Sequence, residues 1–178
     1  MKVYPTPQIR NIAVIAHGGS GKTSLTEAML FNTGASSRLG KVDDGNTVSD
    51  YLPEEIKRKI SISTSLVPCE YRDCKINILD TPGFADFTGE VVAALRAADN
   101  VLVVQSAAAG GVEVQTEVYW ELAGNLPKVV FINKMDRENA NFYKSLEALR
   151  EMFSGTIVPI TLPIGAEANF KGVVDLVK

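Results

Sequence analysis

NIAVIAHGGSGKTSLTEAMLFN (residues 11–32) decides the fold. Its first six residues, NIAVIA, form a short apolar run of the kind that makes a strand buried on both faces. The next five, HGGSG, are too glycine-rich to continue a regular element. TSLTEAMLFN (23–32) then carries apolar side chains at helical spacing, which predicts a helix. Strand, glycine turn and helix in that order build the unit of an α/β protein with a parallel sheet. The turn also carries chemistry. AHGGSGKT (16–23) follows the phosphate-loop pattern G-x-x-x-x-G-K-[ST], except that Ala16 stands at the first glycine. Gly18, Gly19 and Gly21 let successive N–H groups face one point, as a β-phosphate requires. A helix beginning at Lys22 adds the positive end of its dipole. Lys22 supplies a full cation between β- and γ-phosphates, and the Thr23 hydroxyl can ligate Mg²⁺. His17, Ser20 and Ser24 complete the run expected to line the phosphates.

The rest of the chain repeats this alternation. Residues 33–59 are polar and glycine-rich with no steady period, and predict a long exposed loop. Loops of that length inside compact domains are usually functional or mobile. ISISTSLVPCEY (60–71) alternates in the manner of a half-buried strand, with CKINILD (74–80) as its hairpin partner across the YRD turn. VVAALRAA predicts a helix, NVLVVQSA a strand, VEVQTEVYWELAG a helix ending at Gly124, and KVVFIN another strand. The segment 140–153 is an amphipathic helix whose stripe Phe142, Leu146, Leu149 and Met152 is expected to pack in the core. The fold class is therefore α/β: a three-layer mixed, mostly parallel sheet with helices on both faces and one antiparallel strand at an edge. Ligands of such sheets bind at the carboxyl ends of the strands.

Two further motifs sit at strand ends. DTPG (80–83) closes CKINILD, where Asp80 can hold Mg²⁺ in the manner of a Walker-B carboxylate. Gly83, without a side chain, can bring its N–H close to a γ-phosphate, with Thr81 and Pro82 shaping the turn. NKMD (133–136) follows KVVFIN. Asp136 can accept from both the ring N–H and the exocyclic amine of guanine, a donor pair that adenine lacks. Lys134 can lay its stem over the base, Asn133 can tie this loop to the phosphate loop, and Met135 lies between them.

Composition narrows the classes further. The chain has 178 residues, 46% hydrophobic and 22% charged, which excludes disorder as the main state. No stretch reaches the ~18 apolar residues of a membrane helix, and MKVYPTPQIR does not read as a secretory signal. With 18 basic against 21 acidic residues, a nucleic-acid surface is not announced. Cys69 and Cys74 read as ordinary thiols, and one histidine with two cysteines cannot build a tetrahedral zinc site.

With these three motifs in order, the sequence resembles the translational GTPases, specifically those of the elongation factor G type. The resemblance runs through RNIAVIAHGGSGKTSLTEAML, the D-Y…KRKISIS loop end, NILDTPGFADFTGEV, AAAGGVEVQTE, FINKMDRENANF and LPIGAE. Ala16 in place of the first glycine is itself usual in that family. The resemblance implies GTP and GDP as ligands, Mg²⁺ held by Thr23, Asp80 and Ser61, and a ribosome as partner through a longer, multidomain protein of which this chain is an amino-terminal piece. It also implies a cytoplasmic, monomeric chain with no membrane contact. Ser61 stands where the family has a threonine that joins Mg²⁺ when the loop rearranges on GTP binding. The segments at 34–62 and 80–90 are the expected switches. Lys22, Ser61 and the Gly83 N–H would stabilise charge on the γ-phosphate.

Two departures bear on catalysis. The family pattern DTPGH has a histidine that positions the attacking water, and here that position is Phe84. A phenyl ring neither orients water nor accepts a proton. Gly19 stands where the family usually has an aspartate. Both point to retained binding with slow or differently organised hydrolysis, as in divergent elongation factor G-like paralogues. Two functions follow: a GTPase that drives a ribosomal step, or a GTP-loaded ribosome-associated factor with little turnover. The family's last base-contacting Ser-Ala should follow NKMD, whereas Ser106-Ala107 precedes it. Residues 1–155 are thus expected to be a GTP-binding domain lacking its carboxy-terminal part. Residues 156–178 are expected to begin the family's insert subdomain.

Overall fold

A computed structural model describes residues 2–177. Five strands form one sheet in the order β2-β3-β1-β4-β5. They are β1 (Ile9–Ile15), β2 (Ser65–Tyr71), β3 (Cys74–Asp80), β4 (Asn100–Ser106) and β5 (Lys128–Asn133). β1 runs parallel to β3 and β4, and β4 parallel to β5. β2 is antiparallel to β3 at the edge, as the alternation of its sequence predicts. The free cysteines Cys69 and Cys74 lie on opposite arms of this hairpin. The helices are α1 (Lys22–Asn32), α2 (Pro53–Arg58), α3 (Thr88–Ala97), α4 (Val114–Leu122) and α5 (Phe142–Met152). A separate antiparallel hairpin, β6 (Thr161–Ile164) with β7 (Gly172–Asp175), closes the described chain.

The period of two along β1 divides the core into two layers. Ala13 and Ile15 point to one face and pack with Val101, Val103 and the buried sides of α3 and α4. Val14 and Ala16 point to the other and pack with Val67, Ile78, Val104 and Leu30 of α1. That second layer is thinner towards β5. Val129 and Phe131 pair with Leu102 and Val104 on the α1 side of the sheet, yet both are exposed.

Three expectations are corrected. The segment 33–59 is not a uniformly exposed loop: it contains α2, and Thr47, Ser49, Asp50 and Glu55 within it are buried. Two carboxylates organise it. Glu27, fully buried on α1, accepts from the N–H of Gly40 at 3.1 Å and of Val48 at 2.6 Å. Glu55 accepts from Leu52, Ile62 and Ser63. The strand expected from residue 60 begins only at Ser65. Its first donors go elsewhere, Ile62 and Ser63 to Glu55 and Thr64 to Glu90, so no ladder can form there. In the α5 stripe, Leu146 and Leu149 are buried but Met152 is 46% exposed. The following residue, Phe153, takes the core position instead and stacks on Trp120 of α4 with ring centroids 4.0 Å apart.

Candidate functional site

Three strand ends from distant parts of the sequence meet at the carboxyl edge of the sheet. Behind β1, the chain turns through residues 16–21 into α1, with Gly21 at φ 102°, where a β-carbon would run into Asn133 Nδ2. Only glycine satisfies both the angle and the contact. The end of β3 is tied to that of β1 by Thr81, whose hydroxyl donates to the Val14 carbonyl at 2.6 Å. Pro82 and Gly83 are buried beside it. Gly83 lies so close to the turn that a β-carbon would sit 2.7 Å from Gly18 N. The end of β5 is tied in by Asn133, donating to Ser20 O at 3.0 Å, and by Lys134, donating to Gly19 O at 2.6 Å. Lys134 adopts φ 60°, which turns the chain back towards the loop.

Between these ends lies a cleft of about 410 Å³ lined by Gly18, Gly19, Gly21, Lys22, Thr23, Ser24, Asp50, Lys59, Ser61, Gly83, Phe84 and Lys134, among others. Its electrostatics are dominated by opposed buried charges. Lys22 is buried, and its Nζ donates to the Ala16 and His17 carbonyls at 3.2 and 3.1 Å. Burial pushes its pKa down to about 8, against the upward pull of Asp80, Glu113 and Asp50. Asp80, fully buried at the end of β3, is pushed up by burial to about 6. The Lys22 charge and the nearby Ser49 and Thr23 hydroxyls counter this only in part, since neither Asp80 oxygen receives a hydrogen bond. Thr23 Oγ1 lies 3.2 Å from Ser61 Oγ, which donates to Asp50 at 2.7 Å. Burial raises the Asp50 carboxyl above its ordinary value, and that hydrogen bond opposes the rise. Two hydroxyls on neighbouring elements beside an unpartnered buried carboxylate form an all-oxygen donor set suited to Mg²⁺.

The other expected residues are placed less uniformly. Ala16 is buried in the core. His17 donates its backbone N–H to Thr116, and its Nδ1 is buried without a partner, as is Ser20 Oγ. Phe84 is 40% exposed, and its ring roofs the loop: a β-carbon on Gly18 would meet Phe84 Cζ at 2.9 Å. Its carbonyl accepts from Tyr119 of α4 at 3.1 Å. Met135 is buried with Ala107 and Ala140, against Ala166 and Phe170 beside the terminal hairpin. Its side chain therefore serves packing, while Asp136 is exposed beyond the lining of the cleft.

Sequence reasoning assigned no site role to Glu27 or Tyr119, and marked Asp50 only as part of the D-Y loop end that carries the resemblance. Glu27 left one legible signal: it shares a helical face with Thr23, Thr26 and Leu30, all buried, where a free carboxylate is costly. The burial of Asp50 left no local signal, because it depends on how residues 33–59 fold back.

Residues 7–176 match the family described as the elongation factor Tu GTP-binding domain. Elongation factor G of Granulibacter bethesdensis is 47% identical over 173 residues, covering 96% of this chain and 25% of the relative. Elongation factor G 2 of Borreliella burgdorferi is 43% identical over 95% of this chain. A crystal structure of a Thermus thermophilus protein superposes with a TM-score of 0.89 at 42% identity, covering 94% of this chain and 25% of that one. The chain thus spans about a quarter of the length of the relatives it matches.

Proposed function

The chain belongs to the family of elongation factor Tu GTP-binding domains, in its elongation factor G branch, and on that premise we propose that it hydrolyses Mg²⁺-GTP to GDP and phosphate in a ribosomal step of translation. The observation that carries this reading is the buried Lys22, which lines the cleft with the phosphate loop and Gly83 and is coupled to the opposite charge of the fully buried Asp80. A lysine depressed by burial is restored by phosphate oxygens, and an unpartnered buried carboxylate is restored by a cation. Thr23, Ser61 and Asp80 would hold Mg²⁺, which neutralises charge on the β- and γ-phosphate oxygens when bound. Lys22 and the loop N–H groups of residues 18–23 bind and orient the phosphates. Gly83 N–H can donate to a γ-phosphate oxygen because nothing but hydrogen stands on its Cα. Asn133 and Lys134 lock the base-recognition segment to the loop, and Asp136 selects guanine by accepting from two donors that adenine does not offer together. Residues 156–178 would begin an insert within the domain formed by 1–155. The site of action would be the ribosome in the cytoplasm, with this domain monomeric and away from membranes.

In this reading, water attacks the γ-phosphorus, the bond to the β–γ bridging oxygen breaks, and the proton of the water leaves on the phosphate product. Such a transfer rests on positioning and charge neutralisation more than on covalent chemistry. Phe84 favours a second reading, a GTP-bound factor with little turnover, because its ring covers the loop where a polar side chain would orient water. Ribosome-stimulated phosphate release by the intact protein and by Phe84→His separates the two. Fast release by the unmodified protein supports the GTPase. A rate near background that rises at least tenfold in Phe84→His supports the binding factor.

A further inference from the structure

Lys59 is held in the left-handed region, φ 57° and ψ 38°, at the end of α2. Helices commonly end on a left-handed residue, so this angle ends α2 and fixes where the Lys59 side chain leaves the backbone. The surroundings of that side chain carry the inference. Lys59 lines the cleft together with Lys22, Thr23, Ser61 and Gly83, and it is two residues from the hydroxyl that meets Thr23. The other lysines of the cleft are engaged with the loop: Lys22 Nζ with the Ala16 and His17 carbonyls, Lys134 Nζ with that of Gly19. Among the described residues, Lys59 Nζ makes no hydrogen bond or ion pair. Asp43 also lines the cleft without pairing to it, and Asp50 is already bonded to Ser61.

We propose that Lys59 is a γ-phosphate contact carried by the switch segment, so that the cleft distinguishes a nucleoside triphosphate from a diphosphate by a second cation. This rests on the nucleotide reading above. A lysine on this segment would meet the third phosphate, the one that extends beyond the loop holding the first two. The mobile end of a long side chain can deliver that charge without a fixed polar group at Phe84. The left-handed turn at Lys59 sets the direction in which the side chain leaves α2.

The test is calorimetric titration of the intact protein with GDP and with a non-hydrolysable GTP analogue, for the parent, Lys59→Gly and Lys59→Arg. Glycine suits the backbone angle, so Lys59→Gly is expected to melt at the parental temperature or above it. It should bind the GTP analogue about tenfold more weakly, the usual scale of one charge-assisted contact, with GDP affinity unchanged. Lys59→Arg should keep the parental preference. If Lys59→Gly keeps the parental ratio of the two affinities, or loses both equally, the inference is overturned and the nucleotide reading stands. If the parent binds neither nucleotide, the nucleotide reading falls and this inference with it.

Discussion

Replacing Asp80 by asparagine should stabilise the nucleotide-free protein while abolishing its Mg²⁺-dependent binding. The carboxyl is fully buried, receives no hydrogen bond, and has its pKa raised from 3.8 to about 6. A folded-state pKa above the unfolded one means that the stabilising contribution is complete below about pH 4. It is lost as the pH rises through 6. The difference of roughly two pKa units corresponds to ~3 kcal/mol of cost from the ionised carboxylate at pH 7 and above. Asparagine carries no such charge. It also withdraws from Lys22 its largest supporting charge, which lowers the lysine further and consumes part of the gain. The net expectation is about 1–3 kcal/mol of added stability at pH 7.5, or several degrees in melting temperature for a chain of this size. The gain should shrink to nothing near pH 4. Urea or thermal unfolding from pH 4 to 8, without nucleotide or Mg²⁺, measures it. A variant less stable than the parent at pH 7.5, or a difference independent of pH, would show that the carboxylate is satisfied without a cation and would refute the argument.

Two other perturbations follow from the same site. Burial lowers the pKa of Lys22 to about 8, and phosphates should raise it, so nucleotide binding near pH 8.5 takes up a proton and affinity declines as pH rises further. Calorimetry in two buffers of different ionisation enthalpy should give different apparent enthalpies at pH 8.5; identical values would place the lysine outside the phosphate contacts. Asp136→Asn replaces one acceptor by a donor, and it should weaken GTP while improving xanthosine triphosphate, by at least tenfold in their ratio. Competition binding with both nucleotides reads this directly, and an unchanged ratio would remove Asp136 from base recognition.

Much of the fold was legible before the structure. The apolar runs at 11–16, 100–107 and 128–133 are local signals, and each became a strand within two residues of its expected span. The antiparallel edge strand followed from the alternation around a short turn. The failures share one cause. Residues 60–64 look like a strand, but the N–H groups of Ile62, Ser63 and Thr64 are taken by Glu55 and Glu90, the latter 26 residues from Thr64. Met152 obeys the helical period, but Phe153 claims the neighbouring space by stacking on Trp120 from another helix. In both places a partner remote in sequence overrode the local pattern.

The phosphate loop, the DTPG turn and the NKMD segment could be read in sequence because each motif is short and its chemistry is local: glycines that free backbone donors, a carboxylate at a strand end, an acceptor for guanine. What those residues experience was decided only when the chain closed. Lys22 is 58 residues from Asp80 and 111 from Asn133. Burying the first two together shifts both proton affinities, and seating Asn133 against the loop makes Gly21 irreplaceable. The same is true of Glu27, Asp50 and Lys59. Residue type gives each its charge, but the desolvation and the neighbours that turn charge into a binding site exist only in the folded chain.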